Sequence, residues 1–274
     1  MKKVVFRFDI DTHKCIRDGV PSLLMLSNKY NIPFTFFINT GRAVSLKESI
    51  FNLIKHDEEI HENIEMMSAV QKLGVFDYIY AAIVNPTIFQ YKKQVKMLLD
   101  SNCEVGIHGG CNHAIWQKCA LGWNTDKIKK ELLYSINNIK EIKPNYNMGG
   151  FASPAWIHPM ELDDVLNELG FLYDADFYKW GGDPISNKTQ KITLGVNLVG
   201  EPGGVAFFEN CRVKGYSTDK IVKIVMDFID EHEITVLYDH PYYAGVKEIE
   251  TISVLIEKMQ KRDDIEICTL EQLI

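Results

Sequence analysis

The stretch VVFRFDIDTHKCIRDGVPSLLMLSNKYNIPFTFFIN (4–39) decides the fold. VVFRF (4–8) is a β-branched and aromatic run, the composition of a buried strand, and it ends on two acids, Asp9 and Asp11. Pro21 then opens SLLMLSNKY, whose leucines recur at helical spacing. Proline is tolerated in a first helical turn, where its missing N–H has no partner anyway. FTFFIN (34–39) is a second buried strand. Strand, helix and strand in direct succession make a parallel βαβ unit, because parallel strands need a long crossover.

The same alternation continues outward. CEVGIH (103–108) is a further strand ending at a histidine. Ile128, Leu132, Leu133, Ile136 and Ile139 mark one helix face that Pro144 terminates, and Gly170 caps a helix formed by ELDDVLNEL. Ile221, Ile224, Val225, Phe228 and Ile229 form another stripe, entered through Ser217 or Thr218. ITVLYD (234–239), a helix around 249–259 and IEIC (265–268) close the chain. The class is therefore α/β with a parallel sheet, open or closed into a barrel, in one domain over 1–274 with a long insertion at 42–102. In either form functional groups collect at the carboxyl ends of the strands. The polar residues at those ends are Asp9 and Asp11, His108, Asp174 and Asp176 after FLY, and Asp239 and His240.

Composition narrows the function. Hydrophobic residues at 46% and charged residues at 24% exclude a disordered or fibrous chain. A net charge of −7 is the wrong sign for a protein that grips a phosphate backbone, so nucleic acid is not an expected partner. Arg7 and Asp9 interrupt the apolar run of MKKVVFRFDI before it reaches signal-peptide length, and no window offers the roughly 18 apolar residues of a spanning helix. The expectation is a soluble cytoplasmic protein whose six scattered cysteines are free thiols.

Two constellations carry chemistry. Asp9 and Asp11 share one face of a strand, since side chains alternate with period two, and converging carboxylates repel unless a cation or proton lies between them. Alone, such a pair is as readily a turn cap. His108-Gly-Gly-Cys-Asn-His113 is the second. Imidazoles are common ligands of transition metals, but on an unbroken helix a spacing of five turns the two rings roughly 140° apart. Gly109 and Gly110 permit a loop that brings His113 back, with Cys111 as a substitute ligand. One Asp and two His with open positions describe a catalytic rather than a structural metal site. The second carboxylate can then act as base and His240 as acid, with Asp176 orienting it.

The chain resembles the NodB-type polysaccharide deacetylases, and within them the formamido-arabinose-phosphoundecaprenol deformylase branch. The blocks that carry the resemblance are FRFDIDTHKCIRDGVPSLLMLSNKYNIPFTFFINTG (6–41), EVGIHGGCNHAIWQ (104–117), FASPAW (151–156), GFLYDADF (170–177) and LYDHPYYAG (237–245). The resemblance implies a distorted (β/α) barrel of seven or eight parallel strands. It also implies a divalent metal, commonly Zn2+, that serves hydrolysis of an N-acyl group from an amino sugar. On that pattern Asp9 matches the general base, Asp11, His108 and His113 the metal ligands, His240 the general acid and Asp176 the acid that tunes it. The chain departs from the wider family twice. That family separates its metal histidines by four positions, and it holds the base with an arginine in its third motif. FASPAW has none, although Arg7 lies two residues from Asp9.

Trp116, Trp156, Tyr242 and Tyr243 neighbour these motifs, and aromatic faces suit the apolar face of a sugar, so Trp116, Trp156 and Tyr242 are the expected substrate contacts. In the insertion, VFDYIYAAIVNPTIFQY (75–91) is apolar and is followed by Lys92, Lys93 and Lys96. Residues 75–96 suit peripheral contact with the inner face of an anionic membrane, near a sugar linked to a polyprenyl phosphate. The rival readings are a metal-free carbohydrate-binding barrel and a haloacid-dehalogenase-type phosphatase. The phosphatase type also opens with Asp-x-Asp, but it usually has Thr or Val where this chain has His13, and it uses no paired histidines.

Overall fold

The structure, a computed structural model, describes residues 1–44, 73–186, 192–200 and 205–274. Its spine is β1 (Lys2–Ile10), flanked by β2 (Thr35–Ile38) and β8 (Ile234–Asp239), both parallel to it. From β2 the sheet continues in parallel through β3 (Glu104–His108), β4 (Gly150–Ala152), β5 (Tyr173–Tyr178) and β7 (Ile192–Val196). A short β6 (Ile185–Ser186) pairs antiparallel at the β7 edge, and β9 (Ile265–Ile267) pairs with the start of β1.

The sheet curls until its two edges meet. Leu198, just past β7, bridges Leu237 of β8, and the Asn197 side chain donates to the Ile234 carbonyl while accepting from Val236 N–H. A side chain thus stands in for ladder bonds along this seam. The result is the curled, parallel-strand α/β barrel expected, distorted where β7 and β8 face each other.

Period-two alternation along β1 sorts its side chains onto two sides. Val4, Phe6, Phe8 and Ile10 join the outer core beneath α1 (Val20–Tyr30), α8 (Thr218–Glu231) and α10 (Ile249–Met259). Val5 packs inside the barrel with Phe37, Tyr173, Ala175, Leu194, Val196, Val236 and Tyr238. A third cluster lies under α5 (Thr125–Ile142) and α6 (Leu162–Glu168). Because β1 is wholly buried from Val4 to Ile10, its two charged members can sit there only with partners.

Of the insertion, residues 42–44 and 73–102 are described, and residues 45–72 lie outside the described residues. It holds α2 (Val75–Ile83) and α3 (Lys92–Leu99), separated by Asn85 in a left-handed turn at φ 50°. Asp77 ties α2 to the body by accepting from Arg17 at 2.8 Å, and it lies 3.2 Å from His13 Nε2.

Candidate active site

Arg7 and Asp9 follow Val5 on the inward face of β1. The Arg7 guanidinium is fully buried and donates through Nε and Nη2 to the two oxygens of Asp9, at 3.0 and 2.9 Å. Its Nη1 donates to the Ala175 carbonyl at 2.6 Å. Trp156, Phe37 and Tyr238 surround its Cζ with ring centroids at 4.4, 4.8 and 5.3 Å. Burial opposes the charge on Arg7, but the adjoining Asp9 carboxylate outweighs it, and the pKa is raised. A buried ion pair persists only when further hydrogen bonds support it, and here each of the three Arg7 nitrogens has an acceptor.

Asp11 lies just beyond the end of β1, two residues further along the chain. Its Oδ1 is 3.1 Å from His108 Nε2 and 3.5 Å from His113 Nε2, and the two imidazole nitrogens are 3.2 Å apart. The spacing of five is accommodated by the loop 109–112. Gly109 takes φ +73°, Asn112 caps α4 (His113–Cys119) by accepting from Ile115 N–H, and His113 enters in that helix's first turn. The Arg42 carbonyl accepts from His113 N–H at 2.8 Å and fixes where that turn begins. Cys111, the substitute ligand, instead directs its thiol to Glu131 at 3.2 Å, and burial pushes its pKa up to about 11.

The donor set fits a divalent metal ion. His108 Nδ1 donates to the Ala152 carbonyl at 3.0 Å, which fixes the tautomer and leaves an unprotonated Nε2 in the neutral ring. That lone pair faces Asp11 Oδ1, a buried oxygen with no well-angled hydrogen-bond partner among the described residues. Two acceptors so placed repel unless a cation joins them, either a proton on Nε2, which Asp9 and Asp11 favour against burial, or a metal ion. Burial works against ionisation of Asp11, but His113, His240 and His108 outweigh it and hold its pKa well below the carboxylate range.

His240 caps α9 (Pro241–Lys247) at the end of β8. Its Nε2 lies 3.2 Å from Asp11 Oδ2 and 3.1 Å from the Tyr238 hydroxyl. Asp239 faces the other way. It accepts from the backbone N–H groups of His240 and Phe208, both at 2.7 Å, and burial pushes its pKa up to about 7. Four of the expected residues, Asp11, His108, His113 and His240, therefore meet around one point. Asp9 stands beside them, its Oδ2 4.0 Å from His108 Nδ1.

Other expectations need correction. Asp174 and Asp176 sit inside β5 rather than after it, at a register shift between Asp174 and Phe177 that re-aims the strand. Asp176, expected to orient His240, accepts instead from Ser153 N–H at 2.6 Å and from the Ser153 hydroxyl at 2.5 Å. It also lies 2.8 Å from His158 Nδ1. His158 is a residue the sequence reading passed over, although it stands two positions after FASPAW. Burial lowers its pKa, but Asp176 outweighs that and raises it to about 9.

Trp116, expected to touch substrate, is fully buried. It packs against Phe151 and Trp123 and donates its indole N–H to Ile157, so it is a core residue of the third cluster. Tyr242 is likewise turned into the outer core, its hydroxyl donating to Glu209 at 2.5 Å, and Tyr243 packs beside it. Trp156 alone of the three expected contacts keeps a partly exposed ring, which covers Arg7. It does so from a strained backbone, with Ala155 and Trp156 both left-handed at φ 53° and 61°.

Known structures share this architecture. A chain assigned as a polysaccharide deacetylase from Mycobacterium smegmatis aligns over 99% of this chain and 88% of its own, with a TM-score of 0.64 and 16% identity. The catalytic domain of a peptidoglycan N-acetylglucosamine deacetylase from Eubacterium rectale aligns over 98% and 88%, with a TM-score of 0.54 and 14% identity. A CE4-family pseudoenzyme from Bacillus anthracis aligns over 99% and 65%, with a TM-score of 0.57 and 15% identity. At these identities the likeness is one of fold. Residues 1–173, which include β1, the paired histidines and FASPAW, match the family described as polysaccharide deacetylase. With more than half its length matched, the chain belongs to the polysaccharide deacetylase family.

Proposed function

We propose that this family member is a metal-dependent N-deacylase, a deacetylase or deformylase, acting on an amino sugar carried on a polyprenyl phosphate for lipid A or cell-envelope modification. The observation that carries the catalytic part is the convergence of Asp11, His108 and His113 beside an Asp9 held by both arms of the Arg7 fork. His108, His113 and Asp11 would hold the ion, and the nitrogen-rich set favours Zn2+. Such an ion acts as a Lewis acid toward the amide carbonyl.

The chain's own residues supply the proton transfers. Arg7 occupies one lone pair on each Asp9 oxygen and leaves the others open, so Asp9 takes the proton of a water as its oxygen bonds to the carbonyl carbon. His240 gives a proton to the amide nitrogen as the C–N bond breaks, releasing the free amino sugar and formate or acetate. The Tyr238 hydroxyl and Asp11 Oδ2 both meet the His240 ring at Nε2 and orient it. Trp156 roofs the pair and excludes water from Arg7.

His108→Ala is expected to abolish stoichiometric Zn2+ binding and hydrolysis of N-formyl and N-acetyl amino sugars together, measured by metal analysis and amine release. Full metal occupancy in that variant, or an equally active metal-free wild type, would overturn the reading and favour a carbohydrate-binding barrel.

A lipid-linked substrate is supported by α2. Val75, Phe76, Ile79 and Ile83 lie on its outer face, with Phe76 90% and Ile83 72% exposed, while Asp77 turns inward to Arg17. Lys92 and Lys93 follow. No helix among the described residues is long and apolar enough to cross a membrane, so contact would be peripheral. In flotation with phosphatidylglycerol liposomes the wild type should rise and the Phe76→Ser, Ile83→Ser double variant should stay in the soluble fraction. A wild type that never floats removes the membrane contact and leaves the hydrolase reading intact.

A further inference from the structure

α5 is amphipathic in an unusual way. Beside its apolar stripe of Ile128, Leu132, Ile136 and Ile139 it buries three polar residues, Glu131, Ser135 and Asn138, one above another at spacings of four and three. Their partners lie in the loop between the paired histidines and at the end of β2. Glu131 Oε2 accepts from Cys111 N–H at 2.6 Å, and Oε1 accepts from the Cys111 thiol. Ser135 donates to the Gly109 carbonyl at 3.0 Å. Thr40 donates to Ser135 at 3.1 Å and accepts from Asn138 at 3.3 Å. Lys127, one turn before Glu131, balances its charge from the solvent side.

The contact is too close for any side chain at position 110. A Cβ on Gly110 would lie 2.3 Å from Glu131 Oε2 and 2.6 Å from its Cβ. Burying a carboxylate whose side chain is 3% exposed is costly, and this one makes no contact with Asp9, Asp11 or either histidine ring in the described contacts. Its two oxygens are spent on the residue midway between His108 and His113.

We propose that Glu131 is the positioning residue of the metal centre: by clamping Cys111 it fixes the loop so that His113 returns to His108 across five positions, and it thereby sets divalent-ion affinity. The inference rests on the metal reading above. It predicts a role that acts through the loop and not on the ion, since Glu131 is no ligand.

The test is Zn2+ affinity by competition with a chromophoric chelator, with folding followed by circular dichroism. Glu131→Ala should weaken Zn2+ about 10- to 100-fold, the range seen when groups that orient metal ligands are removed. Glu131→Gln, which keeps an acceptor for Cys111 N–H, should recover most of that loss. Gly110→Ala drives the loop off Glu131 from the other side without substituting any residue of α5, and it should weaken Zn2+ comparably. Because both substitutions break one contact, the double variant should bind Zn2+ no more weakly than the worse single variant. Should Glu131→Ala fail to fold, Gly110→Ala decides alone. Folded variants that bind Zn2+ as tightly as the wild type overturn this proposal only, whereas a wild type that binds no Zn2+ overturns it together with the metal reading.

Discussion

Asp9→Asn is expected to keep a full complement of Zn2+ and lose turnover by about 10³- to 10⁴-fold, the upper part of the range for a general base. The substitution preserves shape but removes the group that accepts the proton. Asp9 contributes no atom to the Asp11, His108 and His113 group, so occupancy should be untouched. The amide must also present its NH2 to one arm of the Arg7 fork, where two donors now face each other. Part of the loss can therefore reflect a turned side chain. Metal analysis beside kcat separates the roles: a variant that loses the ion makes Asp9 a ligand, and one that retains turnover within tenfold is no base variant at all.

The second large effect is on stability. Arg7→Met leaves the Asp9 carboxylate buried with both oxygens stripped of their donors, and breaking a buried pair from one side costs about 3–5 kcal/mol. Urea denaturation should show a midpoint lowered at unchanged slope. Arg7→Met combined with Asp9→Leu should regain most of that stability, because an apolar pair of similar volume carries no desolvation penalty, while remaining inactive. An Arg7→Met protein as stable as the wild type would mean that the pair holds nothing in place.

What the sequence disclosed and what it hid follow from the range of each interaction. The placing of Arg7 and Asp9 on one side of β1, opposite Phe6 and Phe8, follows from the strand's period of two, whereas Asp11 already lies beyond the strand. The parallel order of the sheet followed from helices between strands. Gly109 and Gly110 signalled a loop that could bring His113 back, but the contacts that hold the loop, to Glu131, Ser135 and the Arg42 carbonyl, are distant in sequence and were not legible. Asp176 was matched to His240 by its place in a motif, but a shift in β5 register turns it to Ser153 and His158. Trp116 illustrates a second limit. Nearness to a motif says nothing about which way a helical side chain points, and this one points into the core. The buried stripe on α5 did leave a mark, for Glu131, Ser135 and Asn138 interrupt an otherwise apolar face at helical spacing.

Placing Arg7 and Asp9 on one strand, two residues apart, has a mechanical consequence. When the anchoring cation comes from a separate segment, any drift of that segment loosens the proton acceptor. Here both ends of the fork ride the same extended backbone, which β2 and β8 brace on either side. Changes in the segments around the barrel rim need not turn the Asp9 carboxylate. Tolerance of loop variation around an unchanging reaction coordinate is thereby written into the spacing of two side chains.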